Sequence, residues 1–242
     1  MRWEVVAGVA VLAVIVGGVL FMALSGERQD SMAVQPRGGE LVSLPPPARA
    51  GEVSFEVALD SRQSVRMFSP DPLTLTELSQ LLWAAQGLTR PGGFRTTPSA
   101  GALYPLEIRV VAGNVEGLMP GVYQYHPSGH HLALIGKGDL REDLSGAGLG
   151  QSAIRDAPAT LVISAVPSRT TGKYGGRGVR YVHMEAGHAS QNIYLQAASR
   201  GLGTVAIGAF YDDQVREILL MDTSEEPLYL MPVGHPPLVL LV

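Results

Sequence analysis

Two arginines and one serine alternate in the stretch Arg62-Gln63-Ser64-Val65-Arg66. A guanidinium group is always charged, and its fork of N–H donors matches the geometry of a phosphate. The serine hydroxyl between them adds a further hydrogen-bond donor. The spacing therefore indicates an anion site, with Arg62 and Arg66 on either side of Ser64.

A second stretch, from Pro98 to Pro105, reads P-S-A-G-A-L-Y-P. The prolines fix φ and lack an N–H group, and Gly101 can adopt backbone angles that other residues avoid. Small side chains leave the backbone amides and the Ser99 hydroxyl accessible. The stretch is either an ordinary turn before a strand or a shaped surface that contacts a flat ligand.

Lysine and tyrosine are adjacent at Lys173-Tyr174, within the glycine-rich basic segment 168–178, which we predict to be a mobile loop. In a partly desolvated pocket the pKa of a lysine falls, so that it can act as a general base. In an exposed loop the same side chains are solvated. The segment is not a phosphate-binding P-loop, because Tyr174 follows the lysine and position 167 is proline where a glycine is required.

Several classes of site and partner are excluded by composition and spacing. The chain of 242 residues has no cysteine, which excludes disulfides and thiolate chemistry. His130 and His131 would point to opposite faces of a strand, and His183 and His188 lie about 140° apart around a helix, so neither pair predicts a metal site. The net charge is -4, and no basic stripe indicates a nucleic-acid partner.

Helix signals and strand patterns predict the elements that must position these residues. Ser54 would cap a helix with Phe55, Ala58 and Leu59 on one apolar face, and Thr74 begins a second helix with a capping box. Further elements are predicted by alternation, apolar runs and small residues at helical spacing. They are the strand 106–112, the hairpin 121–126 with 130–135, the central strand 159–166 and the long helix 180–200.

The chain begins with an apolar segment. Residues 5–24 form an uncharged run of twenty, long enough to cross a bilayer as a helix. We predict a single-pass membrane anchor over residues 1–25, with a cleaved signal peptide as the alternative. The flanking charges leave the side of the membrane open, with a lean toward an extracytoplasmic domain. Residues 26–51 are predicted to be a Pro/Gly-rich linker, and residues 52–242 a single domain.

Four motifs occur in a fixed order along this domain. They are R-x-S-x-R at 62–66, P-S-A-G-A-L-Y-P at 98–105, A-G-H-A-S-Q-N running into G-L-G-T-V-A-I-G at 186–208, and M-P-V-G-H-P at 231–236. Together they resemble the flavin-dependent nitroreductase superfamily. The hairpin with Tyr123, Tyr125 and His126 and the pair Lys173-Tyr174 are similar to its SagB-type branch, which includes the azoline dehydrogenases of peptide-toxin maturation.

The resemblance implies a fold class and a cofactor. The fold would be α+β, with a central mixed β-sheet wrapped by helices, in a homodimer that holds one FMN at each end of the interface. Arg62, Ser64 and Arg66 would hold the FMN phosphate, ribityl chain and ring edge, with Arg66 as the cation near flavin N1 and O2. Pro98, Ser99, Ala100 and Gly101 would form a wall contributed by the other subunit. Ile207 and Gly208 would face flavin N5, and His235 stands where many relatives place an arginine or lysine on the phosphate.

The resemblance also implies an activity. The chain would be an FMN-dependent oxidoreductase that exchanges hydride at flavin N5 between a donor, for which NAD(P)H is a candidate, and a small organic or peptide-derived substrate. A narrower hypothesis is an azoline dehydrogenase with Lys173 and Tyr174 as the base. A third is a flavin-binding membrane protein without turnover, which the histidine at position 235 would favour if it weakened FMN retention.

Overall fold

The computed structural model describes residues 39–237. Nine strands and seven helices lie within this range. In chain order they are β1 (Leu41–Ser43), α1 (Phe55–Ser61), α2 (Leu75–Gln86), β2 (Leu88–Arg90), β3 (Phe94–Arg95), β4 (Leu106–Ala112), β5 (Gly121–His126), β6 (His131–Lys137), α3 (Arg141–Ala147), α4 (Ser152–Asp156), β7 (Ala159–Ala165), α5 (Ser168–Tyr174), α6 (Arg177–Ser199), β8 (Gly203–Thr204), α7 (Asp212–Ile218) and β9 (Glu226–Gly234). A short 3₁₀ turn, Ala100–Ala102, precedes β4.

Seven of the strands form one sheet in the order β1-β6-β5-β4-β7-β9-β8, and β2 and β3 form a separate hairpin. Every residue of β7 is buried, as expected for an apolar strand covered on both faces. All strand pairings in the described sheet are antiparallel. The predicted mixed sheet is therefore wrong for these strands, because parallel pairing is confined to two isolated bridges, Ser64 with Thr204 and Leu73 with Val115.

The helix starts follow the capping signals of the sequence. The Ser54 hydroxyl accepts a hydrogen bond from the Val57 amide at the start of α1, and Thr74 and Glu77 form the reciprocal capping box of α2. The apolar face predicted for α1 is only partly buried. Ala58 is buried, whereas Phe55 is 62% exposed and Leu59 46% exposed in the single chain.

The long helix α6 occupies the middle of the molecule. It packs against α1, α2, α5 and β9, and its buried face consists largely of small residues, which allow neighbouring elements to approach closely. Val182, Ala186, Ala189 and Ile193 on this face join the larger hydrophobic core with β4, β7 and α2. The helix thus links distant parts of the chain, and both groups of site residues described below lie along it.

Two predicted boundaries differ from the structure. The predicted linker 26–51 contains β1, whose Val42 pairs with Leu132 of β6, so the folded domain begins earlier than residue 52. The predicted mobile loop 168–178 is instead helical, as α5 and the start of α6. Thr170 is buried there, and a Cβ on Gly178 would lie 2.8 Å from the Thr171 backbone. Gly178 therefore permits the close packing of α5 on α6.

The predicted fold class also included an N-terminal transmembrane helix, and this part is corrected. Within residues 39–237 no helix is both long enough and apolar enough to cross a bilayer. The segment 5–24, on which the prediction rested, lies outside the described residues. The fold class supported for the described residues is α+β.

Candidate functional site

Tyr194 of α6 joins two of the predicted site segments. Its Oη lies 3.0 Å from the Ser64 Oγ and accepts a hydrogen bond of 2.8 Å from the Ala206 amide. The Arg62 guanidinium stands over the tyrosine ring, with its central carbon 5.3 Å from the ring centre. Because the Ala206 amide is the donor, the phenol proton can point to Ser64, which leaves the serine proton available to a ligand.

The backbone around Ser64 runs beside β8. The Val65 amide donates a 2.9 Å hydrogen bond to the Thr204 carbonyl, and a Cβ on Gly203 would lie 2.6 Å from the Val65 side chain. Close contact at glycine therefore fixes the path of the stretch that carries Arg62 and Arg66. Neither arginine forms an ion pair with a carboxylate of residues 39–237, so both charges are free to meet an anion.

Ile207 and Gly208 follow directly on Ala206. Ile207 is buried and exchanges two 2.9 Å backbone hydrogen bonds with Leu230 of β9. Gly208 is exposed, and a Cβ there would meet only the Tyr229 ring, at 3.8 Å. The structure thus brings Arg62, Ser64, Ile207 and Gly208 into one neighbourhood, which we call the Tyr194 cluster.

His235 lies at the end of β9 and faces a carboxylate. Its carbonyl accepts a 2.8 Å hydrogen bond from the Ser69 amide, and its Nε2 lies 3.7 Å from the Glu77 Oε2. The same Glu77 oxygen accepts bonds from the Thr74 amide and hydroxyl in the capping box. A carboxylate at this place does not favour a phosphate on His235, and the predicted role of this residue stays a prediction.

Three further predicted residues, Gly101, Lys173 and Tyr174, meet at a second place, between the 3₁₀ turn and α5. A Cβ on Gly101 would lie 2.8 Å from the Tyr174 Oη and 3.1 Å from the Lys173 Nζ. The Lys173 Nζ stands 5.5 Å from the centre of the Tyr174 ring, and Tyr181 of α6 packs edge-on against that ring. Two stretches more than seventy residues apart in the chain are therefore in contact, with the lysine and tyrosine end groups against the Gly101 backbone.

The turn at this second place is strained. Gly101, Ala102 and Tyr104 have φ of 64°, 54° and 46°, in the left-handed region that non-glycine residues avoid. The Ser99 side chain closes the turn, because its Oγ accepts a 2.9 Å hydrogen bond from the Tyr104 amide. Strain of this kind persists only where surrounding contacts hold it, and it is common at ligand sites.

Below the turn lies a buried carboxyl group, Glu185 of α6, which is 2% exposed. Burial raises the pKa of Glu185 to about 7, against the opposing effects of Ser99 and of the Arg95 charge. Its Oε1 is buried without a hydrogen-bond partner. We call Ser99, Gly101, Lys173, Tyr174 and Glu185 the Glu185 cluster.

The two clusters are separated along one helix. Glu185 and Tyr194 are nine residues apart on α6, which corresponds to about 14 Å of helix axis at 1.5 Å per residue. A single chain therefore presents the predicted phosphate-binding residues and the predicted wall at two distinct places. That the other subunit supplies the wall stays a prediction.

A cavity of about 830 Å³ lies elsewhere, between the segment 48–55, α2 and the C-terminal half of α6. None of the twelve predicted site residues lines it. Its walls include Phe55 and Trp83, and the Asn192 amide on its wall is already bonded to the Ala84 carbonyl. We therefore place the candidate site at the two clusters and not in this cavity.

Tyr194, Glu185 and Arg95 were not predicted from the sequence. In the sequence, Tyr194 is one more residue of a predicted amphipathic helix, and nothing local indicates its hydrogen bond to Ser64, which is 130 residues away. Glu185 falls on the buried face of α6, where a charged residue among small apolar ones is the only signal that could have marked it.

Comparison with known proteins gives consistent matches. A sequence model described as Nitroreductase family matches residues 59–235. The chain is 52% identical over 184 residues to MJ1384 of Methanocaldococcus jannaschii, named as a nitroreductase, with 76% of this chain and 92% of that one covered. It is 32% identical to a nitroreductase crystal structure from Ralstonia eutropha, with a TM-score of 0.72 over 81% of this chain and 90% of the other.

A second group of matches concerns a peptide-processing system. The chain is 31% identical over 159 residues to the microcin B17-processing protein McbC of Escherichia coli, covering 62% of this chain and 57% of McbC. The structure of the Escherichia coli microcin synthetase McbBCD complex with truncated pro-MccB17 bound has a TM-score of 0.64 at 24% identity, over 83% of this chain and 79% of the matched one. The latter likeness is one of fold alone.

Proposed function

Because the chain belongs to the nitroreductase family, we propose that it binds FMN and catalyses hydride exchange between a donor such as NAD(P)H and an organic substrate. The likeness to McbC supports the SagB-type branch of the family and an oxidoreductase of that type. The main support for the cofactor assignment is the Tyr194 cluster. In it, the Tyr194 side chain contacts the Ser64 hydroxyl, the Arg62 guanidinium and the Ala206 amide at the start of the segment 206–208.

The residues of this cluster fit a flavin phosphate and its sugar chain. Arg62 of the cluster and Arg66, two residues after Ser64, form no ion pair with a described carboxylate. The Ser64 hydroxyl can point its proton to a ligand when Tyr194 is the donor of their shared bond. The open surface at Gly208 admits a flat ring next to the backbone. A flavin bound there would supply the acceptor and donor of hydride, which no side chain of this chain can replace.

The residues of the chain have separate tasks in this scheme. Arg62 and Ser64 hold the phosphate and the sugar chain, while Arg66 balances negative charge at the ring edge. The backbone at Ile207 and Gly208 fixes the approach of the ring, since Ile207 is itself fixed by its two bonds to Leu230. Simple hydride exchange requires no side-chain base, so this activity needs only the Tyr194 cluster and an open ring face.

The narrower function, oxidation of an azoline ring in a peptide, is favoured by the Glu185 cluster. Oxidation of the ring removes one hydride and one proton, and the proton needs an acceptor. Tyr174 and Lys173 present an Oη and an Nζ at one point against Gly101, so the two groups can share that proton. The likeness to McbC supports the same assignment.

We further propose a homodimer. Phe55 and Leu59, about one helical turn apart, leave an apolar surface on α1, and Phe55 also lines the cavity of about 830 Å³ described above. Exposed apolar side chains grouped on one face of a domain are typical of a protein contact. In a dimer the Glu185 cluster of one subunit can complete the pocket that begins at the Tyr194 cluster of the other.

The experiment that tests the function uses the full-length chain and two variants. The wild type should be yellow, release FMN on denaturation and be bleached anaerobically by NADH or NADPH. K173M and Y174F should keep bound FMN and its reduction by the nicotinamide, and lose oxidation of a thiazoline-containing peptide. Azoline oxidation that survives in both variants would remove the proposed base, while failure of the wild type to bind FMN would remove the function itself.

A further inference from the structure

We propose that Arg169 of α5 is a positioning residue, which holds the strained turn 99–104 along α5 so that Lys173 and Tyr174 meet it at Gly101. The inference rests on the proposed azoline oxidation and deepens it, because it names the side chain that keeps the two proton-accepting groups at one point. Arg169 itself does not touch the substrate in this scheme. Its role follows from a row of contacts between α5 and the stretch 98–105.

These contacts run in opposite directions along the two segments. The Val166 amide, just before α5, donates a 2.8 Å hydrogen bond to the Pro105 carbonyl. The Arg169 guanidinium comes next, and its Nη1 donates a 3.2 Å hydrogen bond to the Tyr104 carbonyl. One helical turn further along α5, the lysine and tyrosine end groups lie against Gly101. Arg169 therefore supplies the middle contact of three.

The guanidinium also connects the turn to the sheet. Its Nη2 lies 2.6 Å from the Glu107 Oε1 of β4, and the other oxygen of this carboxylate accepts a 3.0 Å hydrogen bond from the Gln124 amide of β5. Because β4 is paired on both sides, by β5 and by β7, Glu107 is a fixed partner. A guanidinium can bond a carbonyl and a carboxylate at once, since its donors form a rigid planar fork. Arg169 thus joins a carbonyl of the turn to a fixed point on the sheet.

The turn depends on outside contacts of this kind. Gly101, Ala102 and Tyr104 all have left-handed φ, and such strain persists only where the surroundings hold it. The Tyr104 amide is bonded within the turn, to the Ser99 Oγ, whereas its carbonyl is bonded outside the turn, to Arg169. Without the outside bond the backbone at Tyr104 can relax, and Gly101, three residues earlier, moves with it.

The place of Arg169 on α5 favours a local role. A cation in the first turn of a helix is disfavoured by the helix dipole, so its partners and not helix formation explain an arginine there. Arg169 and Lys173 are four residues apart and lie on one face of the helix. The Arg169 and Glu107 side chains are 37% and 26% exposed, and an ion pair of this exposure contributes little to stability. Loss of Arg169 should therefore affect the geometry of the site more than the stability of the fold.

The test compares full-length R169A with R155A, by hydrogen–deuterium exchange and mass spectrometry. Arg155 of α4 also forms a partly exposed ion pair, with Asp156 at 3.0 Å, and neither residue belongs to α5 or to the turn. In R169A the peptide 99–105 should exchange faster, on the order of fivefold, since the turn loses one hydrogen bond. R155A should exchange there as the wild type does.

R169K tests the same point if R169A loses stability. It keeps the charge beside Glu107, but an ammonium lacks the planar fork, so the peptide 99–105 should again exchange faster than in the wild type. Wild-type exchange of this peptide in both variants would overturn the proposal. The measurement needs neither cofactor nor turnover, so this outcome is separate from failure of the proposed function.

The loaded enzyme gives a second readout, which a general loss of structure would not produce. R169A should keep FMN and its rate of reduction by NADH or NADPH, which requires no side-chain base. Its kcat for azoline oxidation should fall on the order of tenfold or more with little change in KM, because small displacements of reacting groups cost this much. Equal losses in the two reactions would contradict a positioning role for Arg169.

Discussion

The Ser64 Oγ and the Tyr194 Oη lie 3.0 Å apart, although 130 residues separate them in the chain. The same phenol accepts the Ala206 amide, so a single oxygen connects the R-x-S-x-R stretch to the segment that carries Ile207 and Gly208. A substitution that removes only this oxygen tests whether the connection matters for cofactor binding.

Tyr194→Phe should weaken FMN binding on the order of tenfold, since it removes two hydrogen bonds worth about 1 kcal/mol each and frees the Ala206 amide. Fluorescence quenching of FMN by the apoprotein measures the change. Tyr123→Phe is the matched control, because its phenol bonds the Met119 carbonyl far from the cluster. Equal affinities in Tyr194→Phe and wild type would show that the phenol does not shape the site.

Gly101→Ala should lower the rate of azoline oxidation, and it should also destabilise the fold because alanine is strained at a φ of 64°. The new methyl group would lie 2.8 Å from the Tyr174 Oη and 3.1 Å from the Lys173 Nζ, and these flexible side-chain ends would move away. Gly172→Ala on α5 is the control, since nothing lies within 4 Å of its Cβ position, and alanine is favoured over glycine in a helix by up to about 1 kcal/mol. Steady-state rates and thermal unfolding of both variants distinguish a local displacement from general destabilisation.

The raised pKa of Glu185 predicts how stability depends on pH. Its pKa is about 7 in the folded protein against an ordinary value of 4.5, so the stabilisation present below about 4.5 is lost as the pH rises through 7. Glu185→Gln removes this dependence. Between pH 5 and pH 8 the free energy of unfolding of the wild type should therefore fall relative to that of the variant, by at most about 3 kcal/mol.

Urea denaturation at the two pH values measures this difference. Glu217→Gln, at an exposed position of α7, serves as the control and should follow the wild type throughout. A difference between Glu185→Gln and wild type that stays constant with pH would mean that Glu185 has an ordinary pKa in the folded state.

The dimer is tested at the apolar surface of α1. Leu59→Asp places a charge at a side chain that is 46% exposed in the single chain and should convert a dimer into a monomer of 25.6 kDa, measured by light scattering. Met119→Asp changes a side chain of similar exposure on the loop before β5 and should leave the dimer intact. A Leu59→Asp variant that remains dimeric would place the interface elsewhere.

Local signals predicted the starts of α1 and α2 and the strands β4 to β7, because caps and alternation act within a few residues. Ser54 and Thr74 cap their helices as expected, and β7 is buried throughout. The segment 168–178 was mispredicted, since its glycines indicate mobility unless a neighbour is known. In the fold, Gly178 lets α5 pack against the start of α6, a contact that no local pattern encodes.

The candidate site was predicted in part for the same reason. The motifs containing Arg62, Ser64 and Gly101 are contiguous and can be recognised, whereas Tyr194 and Glu185 acquire their roles only from partners distant in sequence. The apolar face of α1 was predicted from periodicity, which does not show how far that face is buried within the single chain.

The central claim, that the chain is an FMN-dependent oxidoreductase, is tested most directly by the flavin content of the purified full-length protein and of Arg62→Ala. The account predicts about one FMN per wild-type chain, bleached by NADH or NADPH, and strong depletion in Arg62→Ala, because a phosphate loses its paired guanidinium. A wild-type protein that is colourless and does not bind added FMN would contradict it.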